Sequence, residues 1–244
     1  MIILLFSAHI SSCQKNNSRQ MTDPVPNITN PVPGNTDTTK KAFTWLALGD
    51  SYTIGHNVPA EDSYPNQTIG LLKKDSVNGE VKIIATTGWT TADLKNGIKN
   101  QETAGALLTQ YDIVTLLIGV NNEYQGIPID IYKTEFEELL KKSIVFAGDN
   151  AKHVIVLSIP DWSVTPFASG RDRDKISKEI DDYNTINKGF ADQYSANYLD
   201  ITPWTREAAT DPSLLAPDKL HPSGKEYARW AASLEGLIKK ILTK

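Results

Sequence analysis

Four short segments of this 244-residue chain carry residues whose types and order could support nucleophilic chemistry. The first is a Gly-Asp-Ser turn ending at Ser51, which exposes a hydroxyl and a backbone N–H together. Further along, Gly88 can offer an unobstructed N–H and Asn121 a side-chain amide. Near the C-terminus, the carboxylate of Asp218 precedes the imidazole of His221 by three residues. Taken singly, each segment also suits an ordinary turn or helix cap, so their positions in the fold decide what they mean.

The elements that must position these residues alternate between short apolar runs and longer amphipathic stretches. The runs are continuous rather than alternating, which is typical of strands covered on both faces. They predict five strands, at 43–48, 81–85, 113–118, 154–159 and 197–201. Amphipathic stretches predict helices at 134–147, 173–194 and 223–242. This order predicts a three-layer α/β/α domain with a five-stranded, mainly parallel, doubly wound (flavodoxin-like) sheet.

The candidate residues follow the predicted strands closely. Ser51 comes after the first strand, Gly88 after the second and Asn121 after the third. In a doubly wound sheet, sites lie beyond the carboxyl ends of the strands, at the point where the strand order reverses. We therefore expect these residues to meet at one edge of the sheet, with the loop of Asp218 and His221 beside them.

In this order the segments resemble those of the SGNH hydrolase superfamily, also called GDSL esterases and lipases. The family blocks read GDS, G, GxND and DxxHP, and the resemblance spans residues 46–222. Only the third block departs, because Asn122 stands where the family has Asp. The side chain carried over to oxyanion binding is its neighbour, Asn121. The Gly-x-Ser-x-Gly turn of α/β-hydrolases does not occur in this sequence.

The resemblance implies a serine triad, in which Ser51 is the nucleophile, His221 the base and Asp218 the group that orients the imidazole. A serine hydroxyl is a weak nucleophile until a base within hydrogen-bond reach takes its proton. The N–H groups of Ser51 and Gly88, with the amide of Asn121, are the implied oxyanion hole. The sequence contains no phosphate loop and no metal-ligand motif, so we expect neither a cofactor nor a metal.

Aromatic residues near the strand ends are candidate substrate contacts. They are Trp89, Tyr124, Trp162 and Phe167. Rings beside polar groups suit sugars but also acyl or aryl groups, and these rings could equally cover the sheet. The family implies acyl-ester substrates, and we expect an acetyl or short-chain ester, with an acetylated carbohydrate as the candidate substrate. The alternatives are a lysophospholipase or thioesterase acting on lipid, a transacylase with the same triad, and a non-catalytic glycan-binding surface lipoprotein.

The first 42 residues have the features of a signal peptide followed by a flexible linker. Residues 1–12 form a short apolar run ending in small residues, and with Cys13 they resemble a bacterial lipoprotein signal. The alternative is a mildly apolar terminus with a structural cysteine. Residues 13–42 are rich in Pro, Asn and Thr, which is typical of a flexible linker. We therefore expect lipidation of Cys13, an SGNH hydrolase domain at 43–244, and a location in the bacterial cell envelope, either periplasmic or at the surface.

Composition excludes several classes of protein. Cys13 is the single cysteine, which excludes a disulfide framework and a cysteine zinc cluster. The whole chain carries 25 basic and 29 acidic residues, of which the predicted domain holds 21 and 27. An acidic balance argues against a nucleic-acid partner and leaves little attraction to anionic lipid. Any membrane contact is therefore expected to come from the lipid anchor alone.

Overall fold

The computed structural model describes residues 42–243, so the predicted signal peptide and Cys13 lie outside the described residues. Within this range, five strands alternate with helices. The strands are β1 (Phe43–Gly49), β2 (Gly79–Ala85), β3 (Ile113–Leu117), β4 (Val154–Leu157) and β5 (Asn197–Leu199). The helices are α1 (Ser51–Ile54), α2 (Tyr64–Lys74), α3 (Thr91–Thr103), α4 (Val120–Tyr124), α5 (Ile129–Phe146), α6 (Arg173–Tyr194), α7 (Thr202–Arg206) and α8 (Gly224–Leu242).

The strands form one sheet in the order β2-β1-β3-β4-β5, and every neighbouring pair is parallel. The chain first runs from β1 outward to β2 and then returns to β3 on the other side of β1. The strand order therefore reverses between β1 and β3, whose carboxyl ends lie side by side. Helices α2 and α8 pack together, while α5 packs against both α3 and α6. The predicted fold class is confirmed.

The core lies between the sheet and these helices. The central strands β3 and β4 are buried at every residue, and Trp45 of β1 is fully buried beside them. Its indole Nε1 donates a 3.0 Å hydrogen bond to Thr115 Oγ1 on β3, which satisfies a polar atom that would otherwise be buried without a partner. The strands β1 and β3 are thus joined by ladder bonds and by a side-chain bond.

The described elements depart from the sequence expectations mainly at edges and ends. Strand β2 is an edge strand with alternating exposure rather than a strand covered on both faces, and β4 and β5 each end two residues early. Helix α5 begins at Ile129, five residues before the predicted start, and α2 and α3 were not predicted. None of the helices among residues 42–243 combines the length and the apolar character that a membrane span requires.

Candidate active site

The turn after β1 presents Ser51 at the sheet edge. Gly49 lets this turn approach β3, because a Cβ there would lie 2.6 Å from the Leu117 carbonyl oxygen. The buried Asp50 side chain caps α1 by accepting a 3.0 Å hydrogen bond from the Tyr52 amide. Ser51 is then the first residue of α1, and it is only 3% exposed. The serine is therefore held on rigid backbone at the carboxyl end of the strand.

Ser51, His221 and Asp218 form one chain of hydrogen bonds. Ser51 Oγ lies 2.9 Å from His221 Nε2, and His221 Nδ1 lies 2.6 Å from Asp218 Oδ2. The other carboxylate oxygen of Asp218 accepts the amides of Leu220 and His221 at 3.0 and 3.1 Å. The loop before α8 is thus folded around its own carboxylate. Residues separated by 170 positions in the sequence come within hydrogen-bond reach.

The surroundings set the protonation of this chain. Burial lowers the pKa of His221 below its ordinary value of 6.5, against the opposing effect of Asp218. Burial alone would raise the pKa of Asp218. Hydrogen bonds from His221, from the backbone amides and from Asn57 outweigh burial and lower the pKa of Asp218 to about 2. At neutral pH the imidazole is neutral and the carboxylate is ionised, which is the state a general base requires.

Two neighbours of the histidine carry contacts that the sequence did not predict. The Asn57 side-chain amide donates to Asp218 Oδ2, from a left-handed backbone position with φ of +63°. The ring of His56 lies edge-on to the ring of His221 at 4.8 Å between centroids, and Thr87 lies 2.9 Å from His56 Nδ1. In the sequence, the signal for Asn57 is its residue type, because asparagine is common in turns and tolerates a left-handed backbone.

The three candidate oxyanion donors line the same pocket as Ser51 and His221. The N–H groups of Ser51 and Gly88 have no hydrogen-bond partner within residues 42–243. Gly88 has φ of +83°, a backbone conformation that favours glycine. The Asn121 amide donates at 2.9 Å to the Trp89 carbonyl and at 3.4 Å to Asp50 Oδ2. Within the described residues, two N–H groups without a partner therefore border the pocket of the serine hydroxyl, as stabilisation of an oxyanion requires, while the Asn121 amide is shared with the Trp89 carbonyl and Asp50.

Asp50 and Asn122 support this arrangement from behind. Burial raises the pKa of Asp50 to about 7, although its bonds to the Tyr52 amide and Asn121 oppose the rise. Asn122, where the family pattern has Asp, is fully buried and joins α4 to α3. Its Oδ1 accepts the Thr91 amide at 3.0 Å, and its Nδ2 donates to Thr91 Oγ1 at 2.7 Å. The substituted residue therefore holds the loop through two satisfied hydrogen bonds.

Three of the four predicted aromatic contacts line the pocket, which has a volume of about 140 Å³. Tyr124, Trp162 and Phe167 form an aromatic wall with ring centroids 5.4 to 6.0 Å apart. Trp89 does not line the pocket. Its indole packs on α3, where a Cβ on Gly97 would lie 2.3 Å from the ring. The expectation for Trp89 is corrected, because only its carbonyl, which accepts from Asn121, faces the site.

The aromatic wall is bracketed by two charged groups. Behind it, Glu123 Oε2 accepts a 2.7 Å hydrogen bond from Trp162 Nε1, and burial raises the pKa of Glu123 to about 7. In front, the guanidinium of Arg171 stacks on Tyr124 and Trp162, with its carbon 4.9 and 5.2 Å from the ring centroids. The sequence predicted that this loop borders the site because the loop follows a strand end. The structure shows how its rings and charged groups are arranged.

Among residues 42–243, one group of side chains has the types that could ligate a metal: His56, Asp218 and His221, whose nearest ligand atoms lie within 4.8 Å of one another. Two ligands of a tetrahedral zinc ion are roughly 3.3 Å apart, given bonds of about 2.0 Å. The 2.6 Å between His221 Nδ1 and Asp218 Oδ2 is a hydrogen-bond distance instead. In this geometry a proton, rather than a metal, joins the two residues.

Fold and site together define a hydrolase of the doubly wound α/β class, with a serine at the carboxyl end of β1. Residues 47–229 match the model of the GDSL-like Lipase/Acylhydrolase family, and the chain belongs to that family. The protein is accordingly a carboxylic ester hydrolase, as the SGNH resemblance implied. A search of curated proteins finds no match.

Solved structures with similar folds include the acetylxylan esterase Axe2 from Geobacillus stearothermophilus, at 20% identity and a TM-score of 0.62, covering 80% of this chain and 94% of that one. The psychrotrophic esterase EstA from Pseudoalteromonas sp. is similar at 18% identity and a TM-score of 0.60, covering 82% of this chain and 99% of that one. Structures described as catalytic mutants of Axe2 replace a serine, an aspartate and a histidine, the last two three residues apart. At these identities the similarity establishes the fold.

Proposed function

We propose that the protein is a serine esterase that removes acetyl or other short acyl groups, with an acetylated carbohydrate as its substrate. The observation that carries the proposal is the unbroken hydrogen-bond chain from Ser51 through His221 to Asp218, at one end of a small pocket. A non-catalytic binding protein has no need of this chain. The mutated residue types and the spacing in Axe2 give further support.

The proposed reaction has two halves. Ser51 Oγ attacks the ester carbonyl carbon while His221 Nε2 takes the hydroxyl proton, and the carbonyl oxygen becomes an oxyanion facing the three donors. The bond to the alcohol then breaks, the alcohol leaves with the proton from His221, and an acyl-serine remains. Water, deprotonated by His221, attacks the acyl carbon. This releases the carboxylic acid and returns the proton to Ser51.

Pocket size supports a small acyl or aryl group. A closed cavity of about 150 Å³ holds one benzene molecule. The pocket of about 140 Å³ beside Ser51 therefore has room for an acetyl group or a short chain, but not for a long acyl chain enclosed over its full length. The wall of Tyr124, Trp162 and Phe167 offers ring edges to the remainder of the substrate.

A panel of 4-nitrophenyl esters from acetate to decanoate, run beside acetylated xylan, tests the proposal. We expect kcat/KM to be highest for acetate or butyrate, acetate release from xylan, and loss of turnover in Ser51→Ala. Rising activity towards decanoate would instead identify a lipid acyl hydrolase. Acetate transfer to added acceptor alcohols in preference to water would identify a transacylase.

We also propose that the enzyme is anchored in the bacterial cell envelope through a lipid on Cys13. The signal-like residues 1–12 and the Pro-rich linker that follows support this location. The full chain, produced in a bacterium fed a clickable fatty acid, should carry label and sediment with membranes. Cys13→Ser is the matched control and should remove both properties. Unlabelled wild-type protein would disprove the anchor.

A further inference from the structure

The guanidinium of Arg171 is a positive charge near the pocket, and the proposed reaction gives it no role. It lies over the rings of Tyr124 and Trp162, both of which line the pocket. Its Nη2 donates to the Tyr124 hydroxyl at 3.3 Å. No carboxylate lies within 4.0 Å of it among residues 42–243, whereas Arg206 and Arg229 in the same range each pair with two acidic side chains. The remaining donors of Arg171 are therefore available to a ligand.

Two acidic residues near Arg171 are hydrogen-bonded to other groups. Asp172 is occupied as the cap of α6, where it accepts the Lys175 amide at 3.0 Å. Glu123 accepts its hydrogen bond from Trp162 Nε1 instead, and burial raises its pKa to about 7 against the opposing effect of Arg171. The guanidinium carbon lies within cation–π distance of both rings, and the Arg171 side chain is exposed, so N–H groups remain open to solvent.

The position of Arg171 also matters for the path of a substrate. The pocket of about 140 Å³ holds one small group, so the rest of an ester substrate must leave through the mouth. Tyr124 and Phe167 stand at that mouth, since they are 41% and 44% exposed although both line the pocket. Arg171 rests on Tyr124. A part of the substrate that extends out of the pocket on this side therefore passes close to the Arg171 guanidinium.

We propose that Arg171 forms an anion subsite that selects acetylated carbohydrates bearing a carboxylate, as in a uronic-acid side group. A planar guanidinium fork matches a carboxylate in two parallel hydrogen bonds, and the adjoining rings suit the sugar to which it is attached. The subsite rests on the proposed esterase function and narrows its substrate class. Because the domain is acidic overall, attraction must come from this local contact rather than from long-range steering.

The test compares two acetylated xylooligosaccharides that differ only in one group: a glucuronate side group, or the same group reduced to glucose. Wild-type enzyme should prefer the acid by about three- to tenfold in kcat/KM, and the preference should shrink as salt is raised. Arg171→Gln should lose the preference, because its kcat/KM falls more on the acidic oligosaccharide than on the reduced one. Lys175→Gln removes the same charge four residues away, from an exposed pair with Glu179, and should keep the preference.

The outcomes separate this subsite from the esterase function itself. If wild-type enzyme hydrolyses 4-nitrophenyl acetate but ignores the carboxylate, the subsite is disproved and the esterase stands. An equal fall on both oligosaccharides in Arg171→Gln would mean that the arginine only supports the aromatic wall. A further experiment compares acetylglycerol phosphate with acetylglycerol. If wild-type enzyme prefers the phosphate but shows no preference for the glucuronate-bearing oligosaccharide, the assignment to acidic sugars is overturned. If no ester is hydrolysed, the proposed esterase function is refuted, and the subsite that rests on it falls with it.

Discussion

Asn121 and Asn122 are adjacent residues of one type with different surroundings, and replacing each by alanine separates rate from stability. Asn121 lines the pocket beside Ser51, and its amide donates to the Trp89 carbonyl and to Asp50 Oδ2. Loss of one oxyanion donor costs about 2.7–4 kcal/mol in the transition state, which corresponds to a fall in kcat of about 10²–10³. The lost bond to the Trp89 carbonyl costs only about 1 kcal/mol of folding stability.

Asn122→Ala is the matched control. It leaves the buried Thr91 amide without an acceptor and removes a second hydrogen bond, at a cost of about 2–3 kcal/mol in the free energy of unfolding. For a domain of this size the melting temperature should fall by about 5–10 °C, while the folded enzyme keeps most of its kcat. Asn122→Asp, which restores the residue usual in the family, keeps an acceptor for the Thr91 amide and should be tolerated.

The assay is steady-state hydrolysis of 4-nitrophenyl acetate well below each melting temperature, with unfolding followed by circular dichroism. Asn121→Ala should lower kcat with little change in KM, since the donor acts on the transition state rather than on the bound ester. The oxyanion assignment fails if Asn121→Ala keeps more than a tenth of the wild-type kcat. It also fails if Asn122→Ala loses kcat to the same extent while fully folded.

Three further substitutions probe the surroundings of the site. Asn57→Asp adds a negative charge beside the triad and should raise the pKa of His221, so the rise of kcat/KM with pH should move to higher pH. An unchanged pH profile would contradict the contact between residue 57 and Asp218. Gly88→Ala has open space for its Cβ but must hold a φ of +83°, so it should cost about 1–2 kcal/mol of stability while the backbone N–H is retained; an unchanged melting temperature would contradict the left-handed conformation of Gly88. Thr115→Val leaves the Trp45 indole without an acceptor and should lower the melting temperature while sparing kcat/KM, and an unchanged melting temperature would refute the role of that bond.

The pH dependence of the wild-type enzyme follows from the same electrostatics. Burial lowers the pKa of His221 below 6.5, so the imidazole loses its proton at a lower pH than a free histidine. Since the neutral imidazole is the active base, kcat/KM should rise with pH through an apparent pKa below 6.5 and then level off. A rise centred above 7 would show that the histidine is not in the buried setting described here.

Sequence patterns predicted the central strands well because these are continuous apolar runs buried on both faces, as β3 and β4 are. Helix α3 was missed because few apolar side chains mark its buried face, chiefly Leu94 and Ile98. Its capping box, formed by Thr90 and Asp93, was a readable signal. Edge strand β2 was predicted too short, since only one of its seven residues is buried and two are exposed.

In the site, the positions of Ser51 and His221 followed from motif order, but side-chain directions did not. Trp89 follows a strand end and yet turns its ring onto α3, because a strand-end position does not set where the ring packs. The contact from Asn57 to Asp218 joins residues 161 positions apart, and no spacing rule links them. Such long-range contacts depend on the packing of separate loops, which a single sequence does not encode as a local pattern.

Labelling with a fluorophosphonate, followed by peptide mass spectrometry, tests the central claim most directly, because the probe reacts with a serine that an adjacent base has activated. Folded wild-type protein should carry one adduct, on Ser51. Ser51→Ala should carry none, and His221→Ala should label far more slowly. Wild-type protein that stays unlabelled while folded, or that carries its adduct on another serine, would contradict the assignment of Ser51 as the nucleophile.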